Sequence, residues 1–128
     1  MLEHEGIGLR EKHLPARAES VREARQFVTD ELADSIVNRV DAVLLTSEVA
    51  TNAVRHAATD FRLRIEPRQD AVRIEVVNDA PGLVLMMKDP SLDGGRGLRI
   101  LDRLALRWGV ESSSDEKVVW FELECQSA

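Results

Sequence analysis

At 128 residues and 44% hydrophobic content, the chain fits one ordinary domain, 1–128, and can bury a core without staples. Its formal net charge of −6 and pI of about 5.1 argue against a bulk nucleic-acid binder, whose affinity rests on phosphate contacts, and against adsorption to an acidic membrane surface. One cysteine, Cys125, excludes an internal disulfide and a CxxC metal pair, and points to a reducing, cytoplasmic compartment.

The opening MLEHEGIGLREKHL has no basic start followed by an apolar run, so it does not read as a secretory signal. The first residues, within 1–8, read as a frayed terminus, and GLREKHL (8–14) as a short edge strand. Pro15 ends that strand. A helix is predicted over 16–33, where Val21, Ala24, Phe27, Val28 and Leu32 recur at spacings of three and four. A second helix is predicted over 36–58. Leu45, Val49, Ala53, Ala57, Ala50, Val43 and Val54 fill a broad apolar arc on it. Glu48, Asn52 and His56 run along one border of the arc, drifting by only about 40° per step of four.

Two alternating strands follow, FRLRIE (61–66) and AVRIEVVND (71–79), joined by the turn PRQD. Alternation implies one covered and one wet face. Residues 79–97, DAPGLVLMMKDPSLDGGRG, lose all periodicity and read as a long loop, functional or mobile. GLRILDRLALRW (97–108) reads as a third helix. WGVES (108–112) and KVVWFELE (117–124) read as a closing hairpin. Strands and helices do not alternate strictly, which disfavours a doubly wound sheet. The pattern predicts an α/β (α+β) two-layer sandwich, with helices on one face of a mixed, mostly antiparallel sheet. An apolar edge or face of that sheet would support a homodimer. No run approaches the length of a membrane span. The three histidines are far apart, so no zinc site is predicted.

Three segments carry chemistry. In SEVATNAVRHA (47–57) the polar row is either the ordinary border of an amphipathic helix or a ligand set. Asparagine is a poor mid-helix residue, and its amide oxygen suits a hard cation such as Mg²⁺. A glutamate one turn away suits proton acceptance near that metal. DGGRGLRIL (93–101) is either a flexible glycine turn into a helix or an anion nest backed by a helix N-terminus. It fits neither a Walker A loop nor a dinucleotide fingerprint. In VVNDAPG (76–82), Asp79 is either part of a plain Asn-Asp turn or an acceptor for an exocyclic amine.

Taken in order, these segments resemble the GHKL ATPase superfamily of gyrase, chaperone, histidine kinase and mismatch-repair ATPases. LPARAESVREARQFV, LLTSEVATNAVRHA, GGRGLRIL, RWGV and VVWFEL resemble most its small stand-alone members, the anti-sigma-factor serine/threonine kinases of actinomycete-type bacteria. The resemblance covers roughly residues 10–124. It implies the Bergerat (GHKL) ATP-binding fold, with ATP and Mg²⁺ as cofactors. It implies that Asn52 ligates the Mg²⁺ and that Glu48 is the catalytic base. Asp79 would receive the adenine amine, with Gly82 beside it. Gly94, Gly95, Arg96, Gly97 and Leu98 would form the phosphate-binding turn. It further implies a kinase that phosphorylates a small antagonist protein and binds a sigma factor through a separate surface.

The chain departs from the family pattern in two places. The Asp-x-Gly-x-Gly box reads Asp79-Ala80-Pro81-Gly82-Leu83, without the first glycine. Val118 stands where relatives often carry an adenine-binding threonine. The alternative reading is a partner-binding module of the same fold with weak or no kinase activity. A histidine-kinase nucleotide domain acting on another chain is a third reading, against which stands the lack of a dimerisation helix in this sequence.

Overall fold

The computed structural model describes residues 9–32, 38–56, 59–79 and 96–125. In chain order the elements are β1 (Arg10–Leu14), α1 (Glu19–Glu31), α2 (Arg39–His56), β2 (Phe61–Pro67), β3 (Ala71–Asn78), α3 (Arg96–Leu104), β4 (Arg107–Ser112) and β5 (Lys117–Glu124). The strands form one five-stranded sheet in the order β1-β2-β3-β5-β4. Every pairing in it is antiparallel, so the sheet is simpler than the mixed one expected.

Local chemistry sets the element ends. Ser20 Oγ donates to the Pro15 carbonyl at 2.6 Å, which folds the chain from β1 into α1. Asn38 caps α2: its Oδ1 accepts from the Asp41 N–H at 3.1 Å, satisfying one of the orphan donors of the first turn. The third helix stops at Leu104, earlier than its apolar pattern suggests. Leu106 N–H donates instead to the Glu122 carbonyl of β5, so the backbone has already joined the sheet. Trp108 therefore lies in β4, and its indole N–H donates to Asp102 of α3 at 2.9 Å.

Strand alternation divides the sheet as predicted. Phe61, Leu63 and Ile65 of β2, Val72, Ile74 and Val76 of β3, and Val119, Phe121 and Leu123 of β5 are buried toward the helices. Ala24 and Val28 of α1, and Ala42, Leu45, Val49, Ala50 and Ala53 of α2, complete the core. Each fully buried Leu or Phe in it contributes about 1.5–3 kcal/mol. α1 lies against β1 and β2, α2 against β3, and α3 against β4; α2 sits between the other two helices and touches both. Among the described residues, no helix is long and apolar enough to cross a membrane.

The opposite face is charged but internally paired. Arg64 Nε donates to Glu11 at 2.7 Å and its Nη1 reaches Glu75 at 3.4 Å. Arg73 joins Glu75 at 2.8 Å and Glu122 at 3.3 Å, and Arg107 closes on Glu122 at 2.8 Å. This ladder alternates in sign across all five strands. The Arg73 guanidinium also lies 3.9 Å from the Trp120 ring centroid, a cation–π contact. Gly109, opposite Trp120 in β4, leaves room for that ring. A Cβ there would sit 2.9 Å from Trp120 Cζ2 and Nε1. Gly109→Ala is therefore expected to destabilise the fold by about 1–3 kcal/mol through overpacking. Chemical denaturation of the two proteins checks this, and an unchanged midpoint would show that the ring shifts freely.

Candidate functional site

Three chain ends converge at one end of the sheet. Phe61 follows α2 closely and pairs with Asn78, the last residue of β3. Asn78 in turn pairs with Lys117, the first residue of β5. The second half of α2 must therefore lie at this end. α3 feeds through a short connection into Arg107, which pairs with Glu122 toward the far end. Its first turn accordingly points back to the Phe61–Asn78 end. α2 and α3 are in contact, and α2 lies against β3.

Glu48 and Asn52 lie on the flank of α2 away from α1. Arg25 of α1 donates to Ser47 at 3.2 Å, so the Ser47 flank of α2 faces α1. Glu48 and Asn52 lie about 100° and 140° round the helix from Ser47, on the flank turned toward α3. Both are half-buried. The helix thus holds a carboxylate and a carboxamide one turn apart, half-buried rather than in open solvent. Arg96, Gly97 and Leu98 open α3 as backbone; their side chains lie outside the described residues, as does that of His56, which ends α2. Gly82, Gly94 and Gly95, together with Met86 and Met87, also lie outside the described residues.

The first turn of a helix presents N–H groups and partial positive charge, suited to phosphate. Among the described residues, no three His, Cys, Asp or Glu come together to hold a metal. A cation here would be shared between one or two protein oxygens and a ligand's phosphates, which is the usual habit of Mg²⁺. The Asn52 carboxamide carries an oxygen of that kind.

The sequence matches the family described as Histidine kinase-like ATPase domain over residues 14–123. The chain belongs to this family. Among solved structures, the RsbU and RsbW domains of Rv1364c from Mycobacterium tuberculosis match this ATPase domain with a TM-score of 0.70 at 17% identity, over 93% of this chain and 33% of that one. The Acinetobacter baumannii histidine kinase AdeS matches with a TM-score of 0.57 at 12% identity, over 98% of this chain and 73% of that one. At these identities the likeness is one of fold, and this chain spans about a third of the length of the first. No curated protein matches the sequence. The expected histidine-kinase-like ATPase family and two-layer fold are thus both observed.

Asp79 and Asn78 lie on opposite faces of the sheet. Asp79 turns toward the face opposite the helices. It follows β3, is 58% exposed, and its carboxylate accepts from Arg62 Nη2 at 2.7 Å. Arg62 also holds Glu116 at 2.9 Å and belongs to the face opposite the helices. Period two explains this: Val72, Ile74, Val76 and residue 78 share the helix-covered face. Asn78 therefore occupies the inward position, is 4% exposed, and its Nδ2 finds no hydrogen-bond partner among the described residues. Leaving such a group unpaired costs about 1–3 kcal/mol. The parity of 72, 74, 76 and 78 was the available signal in the sequence. By the same parity Val118 pairs with Val77 on the opposite face, so Lys117 and Val119 are the inward residues of β5.

Proposed function

We propose that this ATPase domain binds Mg·ATP between α2 and α3 and acts as a serine/threonine protein kinase of the anti-sigma-factor type. Its protein substrate would be a small antagonist, and a separate surface would hold a sigma factor. The observation that carries the reading is the pairing of Glu48 and Asn52 on the α2 flank that faces the first turn of α3, in a chain of this family.

The roles follow from the chemistry of each group. Asn52 Oδ1 is a hard, neutral oxygen, suited to one coordination position on Mg²⁺. Backbone N–H groups of the α3 first turn, from Arg96, Gly97 and Leu98, suit phosphate oxygens, and Gly82, Gly94 and Gly95 are assigned to the same binding role. Glu48 is suited to accept the proton of an attacking hydroxyl, one helical turn from the metal ligand. Bound Mg·ATP supplies the electrophilic phosphoryl group, and the protein's contribution is positioning and charge neutralisation.

Asn52→Ala is expected to weaken Mg²⁺-dependent ATP binding by about tenfold or more. Titration of ATP into both proteins, with and without Mg²⁺, checks this. Equal affinity of the variant and the wild type in Mg²⁺ removes Asn52 from the metal. Transfer of label from γ-labelled ATP to an acid-stable product on an antagonist protein tests the kinase reading itself. ATP binding with no such transfer would favour the partner-binding module, and an acid-labile product would favour histidine phosphorylation.

A further inference from the structure

The two edges of the sheet are guarded unequally. Among the described residues, β1 and β4 each have one side unpaired. An open edge is a template for another strand, and native proteins blunt it with charged side chains, including ones that point inward. β1 is blunted in this way. By register with Ile65 and Leu63, Arg10 and Lys12 lie on the helix-covered face, and Arg10 reaches Glu31 of α1 at 3.5 Å. β4 carries apolar residues at the matching places. Trp108 and Val110 stand opposite the buried Phe121 and Val119. Val110 is exposed, as is Leu106 just before the strand. The backbone of this edge is open too. The Ser113 N–H donates to the Glu116 carbonyl at 2.8 Å, which sets the phase of the β4–β5 ladder. Successive residues of an antiparallel strand bond to opposite sides. Arg107, Gly109 and Glu111 therefore bond toward β5, whereas Trp108 and Val110 turn N–H and C=O to the edge.

We infer that β4 pairs antiparallel with β4 of a second copy of this chain, about a twofold axis at Gly109. In that register Arg107 stands opposite Glu111 of the second copy, and Trp108 stands opposite its Val110. Both pairs are complementary. Arg107 and Glu111 are exposed on one face and carry opposite charges. Trp108 and Val110 share the other face. Opposite charges, and an aromatic against a β-branched residue, are favourable cross-strand pairs. Each pair occurs twice, because the interface is isologous. The Trp108 and Val110 backbone groups that face the edge then bond to each other across the axis. β1 has no such self-complementarity: turned on its central residue, it would set Lys12 against Lys12. The assembly also closes at two copies. Pairing consumes both β4 edges and leaves the guarded β1 edges at the ends of one continuous sheet.

The test is sedimentation equilibrium of the full chain over a range of concentrations, beside residue-resolved amide hydrogen exchange. A dimer is expected. Exchange of the Trp108 and Val110 N–H groups is expected to slow by about tenfold or more between dilute and concentrated protein, with the β1 amides unchanged. This measurement needs no variant to fold. Val110→Lys places a charge on the edge and is expected to abolish the dimer. Glu111→Lys sets like charges opposite each other and is expected to weaken it by about tenfold. His13→Glu, which would oppose Glu11 if β1 were the interface, is expected to leave the dimer unchanged. A wild type that stays at 14.3 kDa at every concentration overturns the inference. So does a dimer that survives both Val110→Lys and Glu111→Lys, one that is lost in His13→Glu, or one that protects the β1 amides instead.

Discussion

Glu48→Gln is expected to slow phosphoryl transfer by about 10²–10⁴-fold while ATP affinity stays within a few-fold of wild type. That range is the usual contribution of a positioned general base. Glutamine keeps the length and shape of the side chain, so the half-buried packing of α2 is preserved. It loses only the ability to take a proton. Glu48 lies on the same flank as Asn52, one turn earlier in α2. Its position is therefore set by the helix itself. Single-turnover release of labelled phosphate to water, and transfer to an antagonist protein, both read the step. A Gln variant as fast as wild type in both assays would remove Glu48 from the chemistry. A variant that loses ATP binding instead would make it a binding residue.

Glu122→Ala is expected to cost about 3 kcal/mol of stability, the lower end of the range for removing one partner of a buried ion pair. The Glu122 side chain is 8% exposed and sits between Arg73 and Arg107. Without it, Arg73, 13% exposed, keeps Glu75 but loses its second carboxylate, while Arg107, 59% exposed, turns to water. The lower end follows from those two escapes. Burial by itself would push the Glu122 carboxyl up, but hydrogen bonds from Arg107 and Arg73 outweigh it and hold the group below the usual carboxylate range. A carboxyl whose value is lower in the folded state stabilises the fold fully above the ordinary range, near pH 4.5. That stabilisation is lost as pH falls through the folded value. Urea denaturation midpoints should thus hold from pH 7 to about pH 5 and fall below that. In Glu122→Gln the fall is expected to be shallower. Identical acid sensitivity of the two proteins would show that other carboxyls dominate. Glu11 is also held low, chiefly by its hydrogen bond from Arg64, but it is well exposed and such pairs contribute little.

Much of the fold was legible because it rests on short-range periodicity. Phe61, Leu63 and Ile65 alternate with charged residues, and they point inward as that pattern requires. The apolar arc of α2 is likewise buried at Leu45, Val49, Ala50 and Ala53. The end of α3 was not legible. Leu104 through Trp108 continues a helical pattern, and only the bond from Leu106 N–H to the Glu122 carbonyl, a contact distant in sequence, ends it. The ladder on the opposite face shows the same limit. Alternation marks Arg64, Arg73, Glu75 and Glu122 as off the core, yet not that register would pair them into near-burial. A wet face and a mutually covered face have the same sequence pattern.

The candidate site divides along the same line. Glu48 and Asn52 share a flank because four residues make about one turn, which is a property of the chain alone. Family membership, too, is carried by the sequence, across residues 14–123. What borders that flank was decided by tertiary packing, with Arg25 holding the Ser47 side against α1 and α3 packed against α2 as well. The placement of Asn78 and Asp79 was decided there as well. Adjacent residues at a strand end point to opposite faces, and the family resemblance had assigned the carboxylate. The sheet instead turned Asp79 outward to Arg62 and left the amide of Asn78 inside. Local periodicity is a property of neighbours along the chain, so sequence determines it. Which face is covered, and what meets an inward polar group, depends on elements far apart in sequence, and only the folded arrangement brings them together.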